Sequence, residues 1–233
     1  MADYKTNLNA ATTGNFSSAM EKGFGILTVM NVKVFDKLST EEYKTLTAYD
    51  IADLAAGKKV EGKEITLNQV CTIDTLKVAN VTQEGPTKTV TGGQYVNPLI
   101  KFGKTARLEM QDALGRIQAI EALGGGVAEF EEDDKLVKTY HGLHFGSEFS
   151  SPKMLVGETF IVDRDNRQVD VNIIFYQFSP DSIFNLTQDA EGDATVFDMN
   201  GDLLTTDILV GDENGKPITR GMFYSIVAKP ATA

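Results

Sequence analysis

The sequence predicts a mainly β protein of sandwich type carrying one amphipathic helix. Three observations lead there. Strand-like runs rich in β-branched and aromatic residues recur along most of the chain, about eight to ten of them, with turn signals at sandwich-like spacing. An Asn-Gly pair at Asn200 and Gly201 lies between two such runs, and Asn-Gly is the strongest short hairpin signal a sequence offers. Between residues 105 and 123, the apolar residues Met110, Ala113, Leu114, Ile117 and Ile120 recur at helical spacing instead.

That helix is the element that stands apart, so its ends matter. Asp112 and Arg116 are four apart with the acid first, a favourable pair on a helix surface, and Gly124 to Gly126 supply a C-terminal stop. The stripe Met110, Leu114, Ile117 and Ile120 is expected to face a core. The polar side, with Arg107, Gln111, Asp112 and Arg116, is the candidate face for a neighbouring subunit.

The remaining elements follow in chain order. Residues 1–23 are small and polar and read as an arm that orders only against something else. Residues 25–36 read as a strand, and Ser39 with Glu42 forms a capping box ahead of a short helix. Residues 47–57 read as a second short helix ending at Gly57, so that 37–62 is a candidate insertion whose helices cover a sheet edge or cross between strands. Residues 64–80 suit one long strand or a hairpin, broken at Gly85 and Pro86. After the central helix come strand runs at 137–145, 154–163 and 169–178, the last two forming a hairpin about residues 164–167. The runs 194–198 and 203–210 flank the Asn-Gly turn, and a last turn at 212–216 leads into ITRGMFYSIVA. No internal repeat is visible.

Composition narrows the function classes. A chain of 233 residues holds a sizeable core in one domain, and 42% hydrophobic with 24% charged residues is ordinary globular composition. The first residues lack the basic start and apolar run of a secretory signal, and no apolar stretch approaches the roughly 18 residues of a membrane-spanning helix. Cys71 is the only cysteine, so no internal disulfide forms, which suits a reducing compartment. The net charge of −11 argues against holding nucleic acid by neutralising phosphates. Residues 168–215 contain ten acids and no Lys or Arg, Asp198 and Asp202 among the acids. A second cluster, Glu129, Glu131, Glu132, Asp133 and Asp134, follows the glycines. Such clusters are either solvated surface or a surface that repels a polyanion or holds a cation.

Specific chemistry finds little support. Gly103-Lys104-Thr105 has Pro98 where a phosphate-binding loop requires its first glycine, so Thr105 reads as a helix cap. His141 and His144 are the only histidines, and on a regular strand they would point to opposite faces, which argues against a zinc site. Nucleophilic catalysis lacks both an elbow motif and a triad. Asp163, Asp165 and Asp170, and Asp198, Asn200 and Asp202, carry oxygen ligands but lack an EF-hand's glycine and closing Glu. No cofactor is expected.

The order N-P-L-I at 97–100, K-T-A-R-L-E-M-Q-D-A-L at 104–114 and an acidic Phe-containing turn before a strand run resembles the tail tube (major tail) proteins of long-tailed bacteriophages. The resemblance is clearest from Gly92 to about Gly146. It implies a β-sandwich or flattened barrel over residues 1–233, with a flanking helix at 105–123 and an N-terminal arm. It further implies a non-enzymatic virion subunit, assembled in the bacterial host cytoplasm, that closes into hexameric rings stacked as a tail tube. Tape measure and terminator proteins would be its partners, and double-stranded DNA would pass without specific binding or any membrane role. On that reading the acids Glu129, Glu131, Glu132, Asp133, Asp134, Asp198 and Asp202 line the lumen or an inter-ring loop, the 129–134 segment reaching toward an adjacent ring. A baseplate or head decoration protein, a carbohydrate- or cation-binding β-sandwich module and an acidic glycan hydrolase remain alternatives, the last disfavoured by the absence of Trp.

Overall fold

A computed structural model of the chain describes residues 16–74, 76–85, 87–89, 99–101, 103–112, 116–133, 135–146, 150–181, 197–214 and 216–229. It is mainly β. Helix α1 (Phe16–Lys22) leads into the long strand β1 (Phe24–Asp36), followed by helices α2 (Thr40–Thr45) and α3 (Ala48–Ala55). Strands β2 (Gln69–Ile73), β3 (Leu76–Glu84), β4 (Thr87–Thr89), β5 (Leu99–Lys101) and β6 (Thr105–Asp112) precede helix α4 (Ile117–Gly124). Then come β7 (Gly126–Glu132), β8 (Lys138–Phe145), β9 (Lys153–Asp163) and β10 (Gln168–Pro180). The chain closes with β11 (Phe197–Leu203), β12 (Thr206–Glu213), β13 (Lys216–Met222) and β14 (Tyr224–Ala228).

Eight strands form one antiparallel sheet in the order β2-β1-β9-β10-β11-β6-β3, with β14 also paired to β10. β10 serves two neighbours on one edge: its residues Val171 to Phe175 pair with β14, and Phe178 to Pro180 pair with β11. A register break between Phe175 and Phe178 marks where the strand passes from one half of the sheet to the other. The β11-β6-β3 half thereby folds over the first half, and Leu108, Met110 and Met199 share a core with Val34, Leu155, Ile173 and Phe175. The end strands β2 and β3 are not hydrogen-bonded to each other, so the sheet rolls without closing into a barrel.

The β9–β10 hairpin that the sequence predicts is the spine of this arrangement. Both strands are buried on both faces over much of their length. Their opposite face carries a second core of Met154, Val156, Ile174 and Tyr176 packed against Tyr43, Leu46, Ile51 and Ala52 of the α2–α3 region. These helices therefore cover the sheet's face and not its edge. Both begin with capping boxes: Glu42 N donates to Ser39 Oγ at 3.3 Å, and Asp50 N donates to Thr47 Oγ1 at 3.1 Å, each acid accepting in return from the cap residue's own N–H. Gly57 follows with φ 79, the left-handed stop its identity suggests. The buried Tyr43 hydroxyl donates to the Tyr176 carbonyl at 2.6 Å, tying α2 to the spine.

Of the polar N-terminal arm, residues 1–15 lie outside the described residues. Phe16–Lys22 is a helix, and its Ala19 packs on Ile161, Val169 and Val171.

Residues 64–80 form neither one long strand nor a hairpin, since β2 pairs with β1 and β3 with β6. Two further expectations require correction. The span 105–123 is not one helix. Thr105–Asp112 is a strand paired on both sides, with β3 and with β11. Its decisive period is two: Ala106, Leu108 and Met110 are buried, while Arg107, Glu109 and Gln111 stand on the outer side. The helical stripe joined Met110 of this strand to Ile117 and Ile120 of the short helix that follows, and Leu114 lies outside the described residues. Asp112 ends this strand and Arg116 stands at the N-cap of α4, so the two do not share one helix. Arg116 caps α4 without a side-chain cap bond and binds Asp74 and, at 3.2 Å, the Thr72 carbonyl. The glycine stop holds, with Gly125 at φ 69. Thr105 opens a strand and caps no helix.

The Asn-Gly hairpin is the second correction. Asn200 and Gly201 sit inside β11, and β11 pairs with β6 and β10 instead of β12. Glycine is required at 201 because a Cβ there would come within 2.3 Å of the Ser179 carbonyl oxygen and 2.7 Å of the Phe178 ring. The residue marks a close approach of two strands at the corner where β10 changes partners. Gly201→Ala is expected to destabilise the fold by about 3 kcal/mol, read as a lower urea midpoint at unchanged slope. An unchanged midpoint would show that this corner is not closely packed.

Candidate functional site

β7 and β8 form a two-stranded ribbon apart from the main sheet, running from Gly126 opposite Phe145 to Glu132 opposite Lys138. Its base is anchored by α4: Gly126 and Ala128 are buried, and the Glu121 carboxylate accepts from Ala128 N at 2.8 Å. Beyond Ala128 all of β7 is exposed. The acidic segment is thus the outer part of a hairpin, not an irregular loop. Asp133 organises the turn, its Oδ1 accepting from Lys135 N and Val137 N, both at 2.9 Å. Glu132 is exposed beside it, and Asp134 lies outside the described residues.

The ribbon's two faces differ. Phe130 and Tyr140 are directly paired, their rings 5.7 Å apart, and the Lys138 ammonium lies 4.1 Å from the Phe130 ring centroid. On the other face, His144 Nε2 lies 3.1 Å from Glu129 Oε2 and His141 Nε2 lies 3.7 Å from Glu131 Oε2. Glu129 and Glu131 are two apart on one strand, so both histidines reach the same face. A regular strand would separate them. The register shift between Glu129 and Phe130 leaves His141 as an extra residue opposite β7 and turns it. The histidines pair with separate acids along the ribbon and do not converge. Among the described residues, no group of three or more His, Cys, Asp or Glu could hold a metal ion.

Large apolar side chains are exposed along this ribbon: Leu136 at 78%, Val127 at 64% and Val137 at 57%, with Phe130, Tyr140 and Phe145 also exposed. An isolated two-stranded ribbon is marginal in water, and these side chains are divided between its two faces and its turn, Val127 on the side of Glu129 and Phe130 on the side of Ala128.

The second acidic region is the outer face of the β3-β6-β11 layer. Thr82, Arg107 and Asp202 lie in one cross-strand row, and Asn80, Glu109 and Asn200 in the next. Gln111 and Asp198 form a third pair. Among the described residues this face carries Glu84, Glu109, Asp198 and Asp202 against one cation, Arg107. Arg107 is engaged within the subunit: its guanidinium donates to Asp181 Oδ1 at 3.1 Å and Asp202 Oδ1 at 3.3 Å. Asp198, Asn200 and Asp202 follow strand spacing, each about 6.8 Å from the next, and so do not form a calcium cage. The other set does not either, since Asp163 Oδ1 accepts from Asp165 N and Arg167 N while Asp165 binds Lys22 and Arg167.

A third cluster lies where sequence patterning gives no motif. On the face of the spine toward α3, Glu158 of β9 accepts from the Lys33 ammonium at 2.9 Å and the Lys229 ammonium at 3.0 Å. Asn172 of β10 is its cross-strand partner, 4% exposed, and Asn172 Oδ1 has no hydrogen-bond partner. A polar residue inside the run VDVNIIFYQF was the available signal, because an unpaired amide in a doubly buried strand costs about 1–3 kcal/mol. Burial pushes the Glu158 carboxyl up, but the bonds from Lys33 and Lys229 outweigh it and hold the group below its ordinary 4.5. Elsewhere burial raises the Cys71 thiol to about 11, so the lone cysteine is a packing residue.

Compared with known proteins, the chain matches no family model and no curated sequence.

A depressed carboxylate contributes stability above its unfolded value and loses it as pH falls through the folded value. The wild-type fold should therefore weaken as pH drops below 4.5, and Glu158→Gln should flatten that decline in acid-melting curves. Parallel curves for the two proteins would contradict the ion-pair assignment.

Proposed function

We propose that this chain is a structural virion protein of a long-tailed bacteriophage or a phage-derived particle, a non-enzymatic subunit whose hexameric rings stack into the tail tube. The observation that carries this reading is the β7–β8 ribbon. It has apolar side chains exposed along its length, unpaired outer edges among the described residues, and an anchor confined to its base. Backbone groups on such edges and side chains such as Phe130 and Val127 are satisfied by another copy of the chain. Joined head to tail, identical subunits close into a ring when the rotation permits, and complementary ring faces then stack.

The acidic outer face of the β3-β6-β11 layer supports the conduit part of the reading. Duplex DNA carries one negative charge per roughly 1.7 Å of its axis, and each phosphate contact with a free cation would retard its passage. Among the described residues, a wall bearing Glu84, Glu109, Asp198 and Asp202 has one arginine, already engaged by Asp181 and Asp202, and so offers few such contacts. Screening over about 8 Å at physiological salt confines the repulsion to short range, which suits a bore that DNA fills. The rolled, unclosed sandwich then corresponds to the tube subunit's flattened barrel. Tape measure and terminator proteins would cap and measure the polymer in the host cytoplasm and the finished virion.

Negative-stain images of the concentrated protein are expected to show rings or stacked hollow tubes. Phe130→Asp combined with Tyr140→Asp should leave circular dichroism unchanged and reduce the sedimenting species to a monomer. A wild-type protein that stays monomeric at high concentration would overturn the proposal.

A further inference from the structure

Beside the Lys33–Glu158–Lys229 cluster is a cavity of about 160 Å³, with Asn172 in its wall and Ala55 and Val156 on its apolar side. We infer that this cavity binds a small aliphatic monocarboxylate, independently of any role in assembly.

Charge sets the ligand's sign. Two ammonium groups flank one carboxylate, leaving one net positive charge, and each ammonium keeps donors that Glu158 does not use. A monoanion balances that charge. A dianion such as phosphate would meet the Glu158 carboxylate, whose ionised form the same lysines hold. Hydrogen-bonding capacity sets the headgroup. The Asn172 side chain is 4% exposed, lines the cavity, and has no partner at Oδ1. Its amide bears two donors, and the assignment of its oxygen and nitrogen is exchangeable, so either orientation leaves buried polar capacity for a ligand to use. A carboxylate can accept from Lys229 or Lys33 with one oxygen and from the Asn172 amide with the other.

Volume and lining set the tail. An engineered cavity of about 150 Å³ admits benzene, so a carboxylate with a tail of a few carbons fits against the Ala55 and Val156 methyl groups. The pieces come from separate elements: Lys33 from β1, Glu158 from β9, Asn172 from β10, and Lys229 just past β14, with Ala55 ending α3. Packing of α3 against the spine therefore shapes the site, a partly open pocket with Asn172 and Val156 buried in its wall and the two lysines reaching solvent at its mouth.

Saturation-transfer NMR with sodium butyrate tests this on the full chain in whatever assembly state it adopts. Saturable binding with a Kd of about 1 mM is expected, within the range open to so small a ligand. Sodium chloride at equal ionic strength should not displace it. Lys229→Met, at a half-exposed position, should weaken binding at least several-fold, and Asn172→Val should abolish it while raising the melting temperature by removing the unpaired amide. Binding unchanged in both variants, displacement by chloride, or tighter binding of inorganic phosphate than of butyrate would each overturn the inference. Loss of rings or tubes has no bearing on this outcome, and butyrate binding has none on assembly.

Discussion

The structure depends on the double burial of the β9–β10 hairpin. A strand covered on both faces must be apolar almost throughout, and β10 meets that demand with Val171, Ile173, Ile174, Phe175, Tyr176 and Phe178, all buried. Each such side chain contributes about 1.5–3 kcal/mol by leaving water. The same strand carries the topology, since its first half pairs with β14 and its end with β11. Once β10 bends between Phe175 and Phe178, the β11-β6-β3 layer has one place to go, over the first half of the sheet. Gly201 lets the two strands meet at that corner.

That constraint also decides what remains outside. The main sheet spends its apolar surface internally, on one face against its own folded half and on the other against α2 and α3. Among the described residues, the β7–β8 ribbon contributes none to either core, and its base rests on α4. Its aromatic pair, its histidine–glutamate pairs and its acidic tip are therefore free to meet something beyond the subunit. The β3-β6-β11 layer contributes the opposite kind of surface, polar and acidic on the side away from the core. The subunit thus presents one projecting ribbon with exposed apolar side chains and one acidic face on the side away from the core.

Much of the fold was legible in the sequence where one signal dominated. The β9–β10 hairpin, β1, both short helices and the Ser39 capping box follow from local composition and turn chemistry. The failures share a cause. Around residues 105–112 apolar residues satisfy both a period of two and, joined to Ile117 and Ile120, a period near 3.6, and only the presence of β3 and β11 on either side decides between them. Asn200-Gly201 reads as a turn because the contact demanding glycine, with Ser179, is made by a strand about twenty residues away. His141 and His144 share a face only through a bulge whose register depends on β7. The acids of the ribbon were legible as a cluster, but Phe130, Tyr140 and Val127 as exposed partners were not, since exposure is a property of the whole fold. The Lys33, Glu158, Asn172 and Lys229 cluster, drawn from four distant segments, left only the isolated Asn172 as a trace.

Hydrogen exchange at the ribbon's backbone amides reads whether those edges acquire partners. If copies of the chain associate through the ribbon, the outward-facing amides of β7 and β8 exchange rapidly in dilute protein and become protected as concentration rises, in step with the sedimenting mass. Amides that stay unprotected while the protein assembles, or a ribbon already protected in the isolated subunit, would contradict that association.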